Sequence, residues 1–154
     1  MPKIPAHRIR RKPPFFRPVP LRDRRDGWSE ARQCAFLAEL YLTGSVTAAA
    51  RAVGMSRMSA YRLRRREGAE SFAFAWDHIF APPGTGKRAG PKPDWRKVTN
   101  LALMERVEAG LVQPVLYAGK LAAIRRKPDN SALLRLLRRQ DALCAAVERG
   151  CMDR

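Results

Sequence analysis

A chain of 154 residues allows one ordinary domain or two very small modules, and it excludes a large multidomain enzyme. Apolar residues make up 45% and charged residues 29%, so a core is expected and wholesale disorder is excluded. Lys and Arg total 31 against 14 Asp and Glu, and the resulting charge of +17 points to a polyanionic partner, nucleic acid ahead of a membrane surface.

Residues 1–25 hold nine Lys or Arg, one Asp and six prolines. That composition predicts an unfolded basic arm over 1–26, whose Arg8, Arg10, Arg11 and Lys12 settle on phosphates or in a minor groove once DNA is present. Phe15 and Phe16 are unusual in such a tail and are expected to dock on the folded body or on a partner. Four prolines and an arginine between Pro13 and Leu21 break any apolar region of a signal peptide. No apolar run approaches the ~18 residues of a membrane span, so a soluble, cytoplasmic chain, associated with the nucleoid or with a phage, is expected. Cys34, Cys144 and Cys151 lack the spacing of a zinc or redox motif, and with His7 and His78 they build no metal cluster.

From Trp28 the apolar spacing turns helical. Ser29 can cap a first helix carrying Phe36, Leu37, Leu40 and Tyr41 on one face, broken by Thr43 and Gly44. Ser45 can cap a short second helix through Val46, Ala49, Ala50 and Val53, ended by Gly54, and Ser56 a third from Arg57 to about Arg66. Between Ser45 and Arg66 there are six arginines and no acid. A fourth helix, Glu70 to Phe80, places Phe72, Trp76, Ile79 and Phe80 on one side as a packing face. Four prolines and three glycines make residues 81–94 a linker. Its Gly84-Thr85-Gly86-Lys87-Arg88 is not a phosphate-binding loop: Ala81 stands where the first glycine is needed, Arg88 where a Ser or Thr would hold magnesium, and no strand precedes it. Beyond it, Asp94 can cap a helix over Trp95 to about Ala109. Val112–Tyr117 and Leu121–Arg126 read as a short hairpin whose first strand Pro114 confines to an edge. A last helix starts near Asn130 or Ser131 with a stripe of Leu133, Leu136, Leu137, Leu143, Cys144 and Val147.

The segment Val46–Arg65 resembles the helix-turn-helix family. Ala50 stands at the small position where the two helices touch, Gly54 at the turn position that needs positive φ, and Ala49, Val53, Met55, Ala60 and Leu63 at the apolar positions. In this family the second helix enters the major groove. Arg57, Met58, Tyr61, Arg62 and Arg65 share its exposed face: Arg57 and Arg62 can offer two donors to guanine and Met58 can touch a thymine methyl. Ser56, Arg64, Arg65 and Arg66 are better placed for phosphates. The run Thr43–Ser56, followed by Ala60-Tyr61-Arg62-Leu63-Arg64, looks like the N-terminal domain of phage small terminase subunits. It is also similar to transposase-type domains and small phage-derived regulators. The terminase resemblance implies recognition of a packaging site, ring oligomerisation through the C-terminal half, and contact with a large ATPase-nuclease subunit. A regulator would instead be a dimer engaging the transcription machinery.

The expected architecture is therefore mainly α. It comprises a disordered basic arm (1–26), a helix-turn-helix domain (27–80), a linker (81–94) and a helix, hairpin and helix region (95–154) suited to homo-oligomerisation. The expected function is sequence-preferring binding of double-stranded DNA. The alternative is a nonspecific nucleic-acid or RNA-binding assembly factor. Neither His has an evident catalytic partner and the carboxylates are scattered, so no enzymatic activity, cofactor or metal is expected.

Overall fold

The computed structural model describes residues 10–84, 90 and 92–152. The described chain is mainly helical, with six helices and one two-stranded sheet: α1 (Glu30–Thr43), α2 (Val46–Ala52), α3 (Arg57–Arg65), α4 (Glu70–Phe80), α5 (Asn100–Ala109), β1 (Leu111–Tyr117), β2 (Lys120–Lys127) and α6 (Asn130–Met152). No described helix is long and apolar enough to cross a membrane. Short polar side chains start most of the helices. The hydroxyls of Ser29, Ser45, Ser56 and Thr99 accept from the backbone N–H of Arg32, Ala48, Ser59 and Ala102, and Asp129 accepts from Ala132.

The chain divides into two units, one formed by the described residues up to Lys92 together with Leu111–Arg126, the other by Pro93–Gly110 and the residues from Lys127 onward. One boundary falls inside the expected Pro/Gly linker, but the hairpin, expected with the C-terminal helices, belongs with the first unit. The reason is a pairing distant in sequence: Phe16 and Val112 exchange backbone hydrogen bonds of 2.9 Å in both directions as an antiparallel bridge. It stays a single bridge because, in that register, Pro14 faces Pro114 and Pro18 lies two residues the other way, none of which carries an N–H. Pro114 thus points its missing donor away from β2 and is tolerated inside β1. β1 and β2 are joined by Ala118-Gly119, both at positive φ, the requirement of a tight two-residue hairpin turn.

The core of the first unit is aromatic. Phe36 lies at its centre, with ring centroids 5.5 Å from Trp28, 6.0 Å from Phe72 and 5.0 Å from Trp76. Within α4, Phe72, Ala75, Trp76 and Ile79 are buried, whereas Phe80, expected on the same side, is 46% exposed. The buried face is centred on Phe72 and Ile79 and includes Ala75, and Phe80, about 100° round the helix from Ile79, falls at its edge.

Residues 10–21 are not the unfolded arm that their composition suggests. They run as an extended strap over the helices, with Pro13, Phe16 and Val19 buried. Phe16 sits edge-on to Phe72 at 6.0 Å. Gln33, itself buried, clamps the strap with its amide: Oε1 accepts from the Val19 N–H at 2.8 Å while Nε2 donates to the carbonyls of Val19 and Trp28. Every polar atom of a buried amide is thereby used on backbone groups that would otherwise be costly to bury. The energetic reason for the order is therefore not in the arginines but in three apolar side chains spaced three residues apart.

Beneath this layer Cys34 is fully buried, and burial, reinforced by the Glu30 carboxylate, pushes its thiol up to about 12. Cys144 and Cys151 are exposed. Titrating the folded chain with a thiol reagent near pH 8 is expected to label two of three cysteines, the third reacting only on denaturation. Rapid labelling of all three would place Cys34 outside the core.

In the second unit the expected helix from Trp95 is shorter. Asp94 caps a turn instead, accepting from Arg96 through its side chain and from Lys97 through its carbonyl, and α5 starts at Asn100 under Thr99. Trp95 is freed to serve as a plate for Arg135 and Arg106, whose guanidinium carbons lie 4.3 and 5.4 Å from its ring centre. Arg139 ties the turn to α6 by donating to the carbonyls of Trp95 and Val98 and to Asn100 Oδ1. Leu103 and Ala132 are buried between the helices, but α6 outruns α5 by more than a factor of two, and its Leu143 and Val147 are 61% and 71% exposed.

Candidate nucleic-acid interface

α2 and α3 meet at a tight turn. Val53 ends α2, Gly54 takes φ +74°, its N–H donates to Arg51, and the Met55 N–H returns to the carbonyl of Ala50 at 2.9 Å. Ala49, Ala50, Ala60 and Leu63 are buried in the core cluster, so small residues on both helices permit their close approach. An added Cβ at Gly54 would meet no atom within 4 Å, so glycine is needed there only for its backbone. Gly54→Ala is therefore expected to lower stability by about 1–2 kcal/mol, the cost of holding an L-residue left-handed, read as a lower urea midpoint at unchanged slope. An unshifted midpoint would contradict this turn geometry.

The structure sorts the predicted contact residues into three groups. Met58, Arg62 and Arg65 occupy the outward face of α3; all three are exposed, Met58 by 62%. Toward α4, Tyr61 is half-buried, its ring 5.5 Å from Trp76, and Arg57 lies over Tyr61 at 5.7 Å while remaining exposed. Arg64 is turned further from the outward face: it bonds both carboxylate oxygens of Asp77 at 2.8 and 3.0 Å and stacks on Trp76. Its charge is spent on joining α3 to α4, which corrects its expected place among the phosphate contacts. Ser56 caps α3 and stays exposed, and Arg66 is exposed just past the helix end.

The arm residues fare differently. Arg8 lies outside the described residues, and Lys12 is exposed. Arg10 donates from Nε to the Tyr41 carbonyl and from Nη2 to that of Leu42, capping the C-terminus of α1, whose last turn has no basic residue of its own. It fits because Gly44 leaves open the space where a Cβ would collide with the guanidinium. Arg11 donates to Pro82 beyond the end of α4. Of the four arm cations named from the sequence, Arg10 is thus a helix cap and Arg11 is tied to the chain just past α4.

Sequence reasoning did not single out the segment 22–27, which the strap carries to the side of α3. Trp28 Nε1 donates to Ser59 Oγ at 2.7 Å, and a groove of about 420 Å³ opens there, lined by Leu21, Trp28 and Leu63 with Arg62, Arg65 and Arg66. The signal available in the sequence was the apolar triplet spacing that docks the strap. Set against known proteins, the chain matches no family model, no curated protein and no solved structure. The geometry of the site stands on its own. Among the described residues no group of three His, Cys, Asp or Glu could hold a metal ion, and the glycine-lysine segment 85–88 of the linker lies outside the described residues.

Proposed function

We propose that this protein binds double-stranded DNA with a sequence preference, α2 and α3 acting as a helix-turn-helix. The observation that carries this reading is the outward face of α3, where Met58, Arg62 and Arg65 project on a helix held by a tight glycine turn, in a stretch with no acidic residue. A solvated structural helix has no need of an acid-free face; a major-groove reader does, because each carboxylate would meet phosphate repulsion. Arg62 is the base-edge candidate, with Met58 beside it for a thymine methyl. Arg57 contributes from the edge of the face, and Arg65 and Arg66 reach phosphates.

The exposed Leu143 and Val147 on the free half of α6 support self-association, as a dimer or a ring. In a small-terminase-like role the partner would be a large packaging subunit, and in a regulatory role the transcription machinery. Selection of genomic fragments by the purified chain at about 0.15 M salt, where bare phosphate attraction is weakened, tests the reading. Enrichment of a discrete site supports it, and the position of that site, at a packaging locus or a promoter, separates the two roles. Uniform recovery of fragments, or equal competition by RNA, would refute it.

A further inference from the structure

We propose that the groove between residues 21–28 and α3 is a second DNA-contacting surface, seating one sugar-phosphate strand beside the major groove that α3 enters. The proposal rests on the DNA reading above and adds to it three cations that the reading does not use, Arg22, Arg24 and Arg25. These sit on a loop anchored at both ends. On one side the buried Gln33 amide grips Val19; on the other, Trp28 is bonded to Ser59, and Arg32 Nη1 donates to the Gly27 carbonyl at 2.7 Å. A backbone bond from Gly27 to Arg24 tightens the loop itself. A short tethered loop loses little conformational freedom on binding, unlike a free basic tail.

Charge and chemistry select the occupant. Arg22, Arg24 and Arg25 are exposed, and among the described residues none has an ion pair or side-chain hydrogen bond. The groove itself is lined on the α3 side by the equally exposed Arg62, Arg65 and Arg66, and on the other by Leu21 and Trp28, the two ends of the loop that carries Arg22, Arg24 and Arg25. Asp23, Asp26 and Glu67 are the acids adjoining these two segments, so the loop and the end of α3 together carry six arginines against three acids. The rest of the lining is Leu21, Trp28 and Leu63, with Ser59, whose hydroxyl is taken by Trp28. A DNA strand presents the same alternation: forked guanidiniums suit its phosphates, and an apolar surface suits the carbon face of deoxyribose. The strap makes this possible by spending Arg10 on the end of α1, Arg11 on the Pro82 carbonyl and Arg17 on Glu70, leaving Arg22, Arg24 and Arg25 on the loop that ends at Trp28 beside α3.

The test compares the full chain with an Arg22→Ala/Arg24→Ala/Arg25→Ala variant on the selected duplex and on a scrambled duplex, each titrated with salt. The three side chains are exposed, so an unchanged thermal melt is expected and confirms folding. The variant is expected to weaken on both duplexes by the same factor, keeping its preference, while the slope of log K against log salt shrinks by about 3, roughly 1 per phosphate contact. An unchanged slope, with site preference intact in the parent chain, overturns the groove and leaves the DNA reading standing. Loss of preference at unchanged slope also overturns it, since the loop would then read bases. If the parent chain shows no preference for any duplex, both fall together.

Discussion

Phe16→Ala is expected to remove about 3–5 kcal/mol from the first unit, a large share of the 5–15 kcal/mol that holds a typical domain. Phe16 is completely buried, is seated against Phe72, and carries the backbone bridge to Val112. Truncating it leaves a cavity between α4 and the strap, which packed neighbours fill only in part. The strap is also what brings the Val19 backbone to the amide of Gln33, so its loosening would leave a buried polar side chain short of partners. Urea unfolding followed by tryptophan fluorescence measures the loss, because Trp28 and Trp76 belong to the same core. Lys12→Ala, on the same strap but exposed, is expected to change stability by less than about 0.5 kcal/mol. A loss below about 1 kcal/mol for Phe16→Ala would mean that the strap is not part of the core.

Arg62→Ala is expected to reduce discrimination between a selected site and a scrambled duplex by about 1–3 kcal/mol, or roughly 5- to 150-fold, with the fold intact. Arg62 is exposed on the outward face of α3 and has no intramolecular partner among the described residues, so its two donors are available to a guanine edge. Arg64→Ala, two residues on, is expected to behave in the opposite way, lowering thermal stability through loss of the Asp77 contact while leaving the preference in place. Competition binding paired with thermal melts separates the two. A preference that survived Arg62→Ala and vanished in Arg64→Ala would invert the assignment of faces on this helix.

What was legible in the sequence was local. Ser29, Ser45 and Ser56 mark helix starts because a cap acts within three residues of itself, and the apolar spacing of α1 and α4 reports a face that a single helix must bury. Where two local signals compete the reading slips: Asp94 and Thr99 are both good caps, and only the packing of Trp95 between two arginines decides that the helix belongs to Thr99. The strap was hidden by composition. Its prolines and arginines read as disorder, yet Pro13, Phe16 and Val19 recur with a period of three, the repeat of a proline-rich extended chain rather than of a helix or strand. The outward face of α3 was visible in part, since periodicity places Arg62 and Arg65 correctly. It could not show that Asp77, from another helix, withdraws Arg64 from that face.

The bond from Gln113 to the carbonyl of Pro13 joins groups 100 residues apart in sequence, and this separation sets an order of events. Helices α1 to α4 can gather from nearby contacts, but the strap cannot complete its seat until β1 arrives to pair with it, after the chain has paid the entropy of closing so long a loop. On a ribosome adding roughly 5–20 residues per second, the strap, made well before β1, is then fully locked in place only after β1 has emerged. For several seconds the nascent chain would hold its strap by contacts to α1 and α4 alone, a window in which a polyanion or a chaperone meets a different molecule from the finished one.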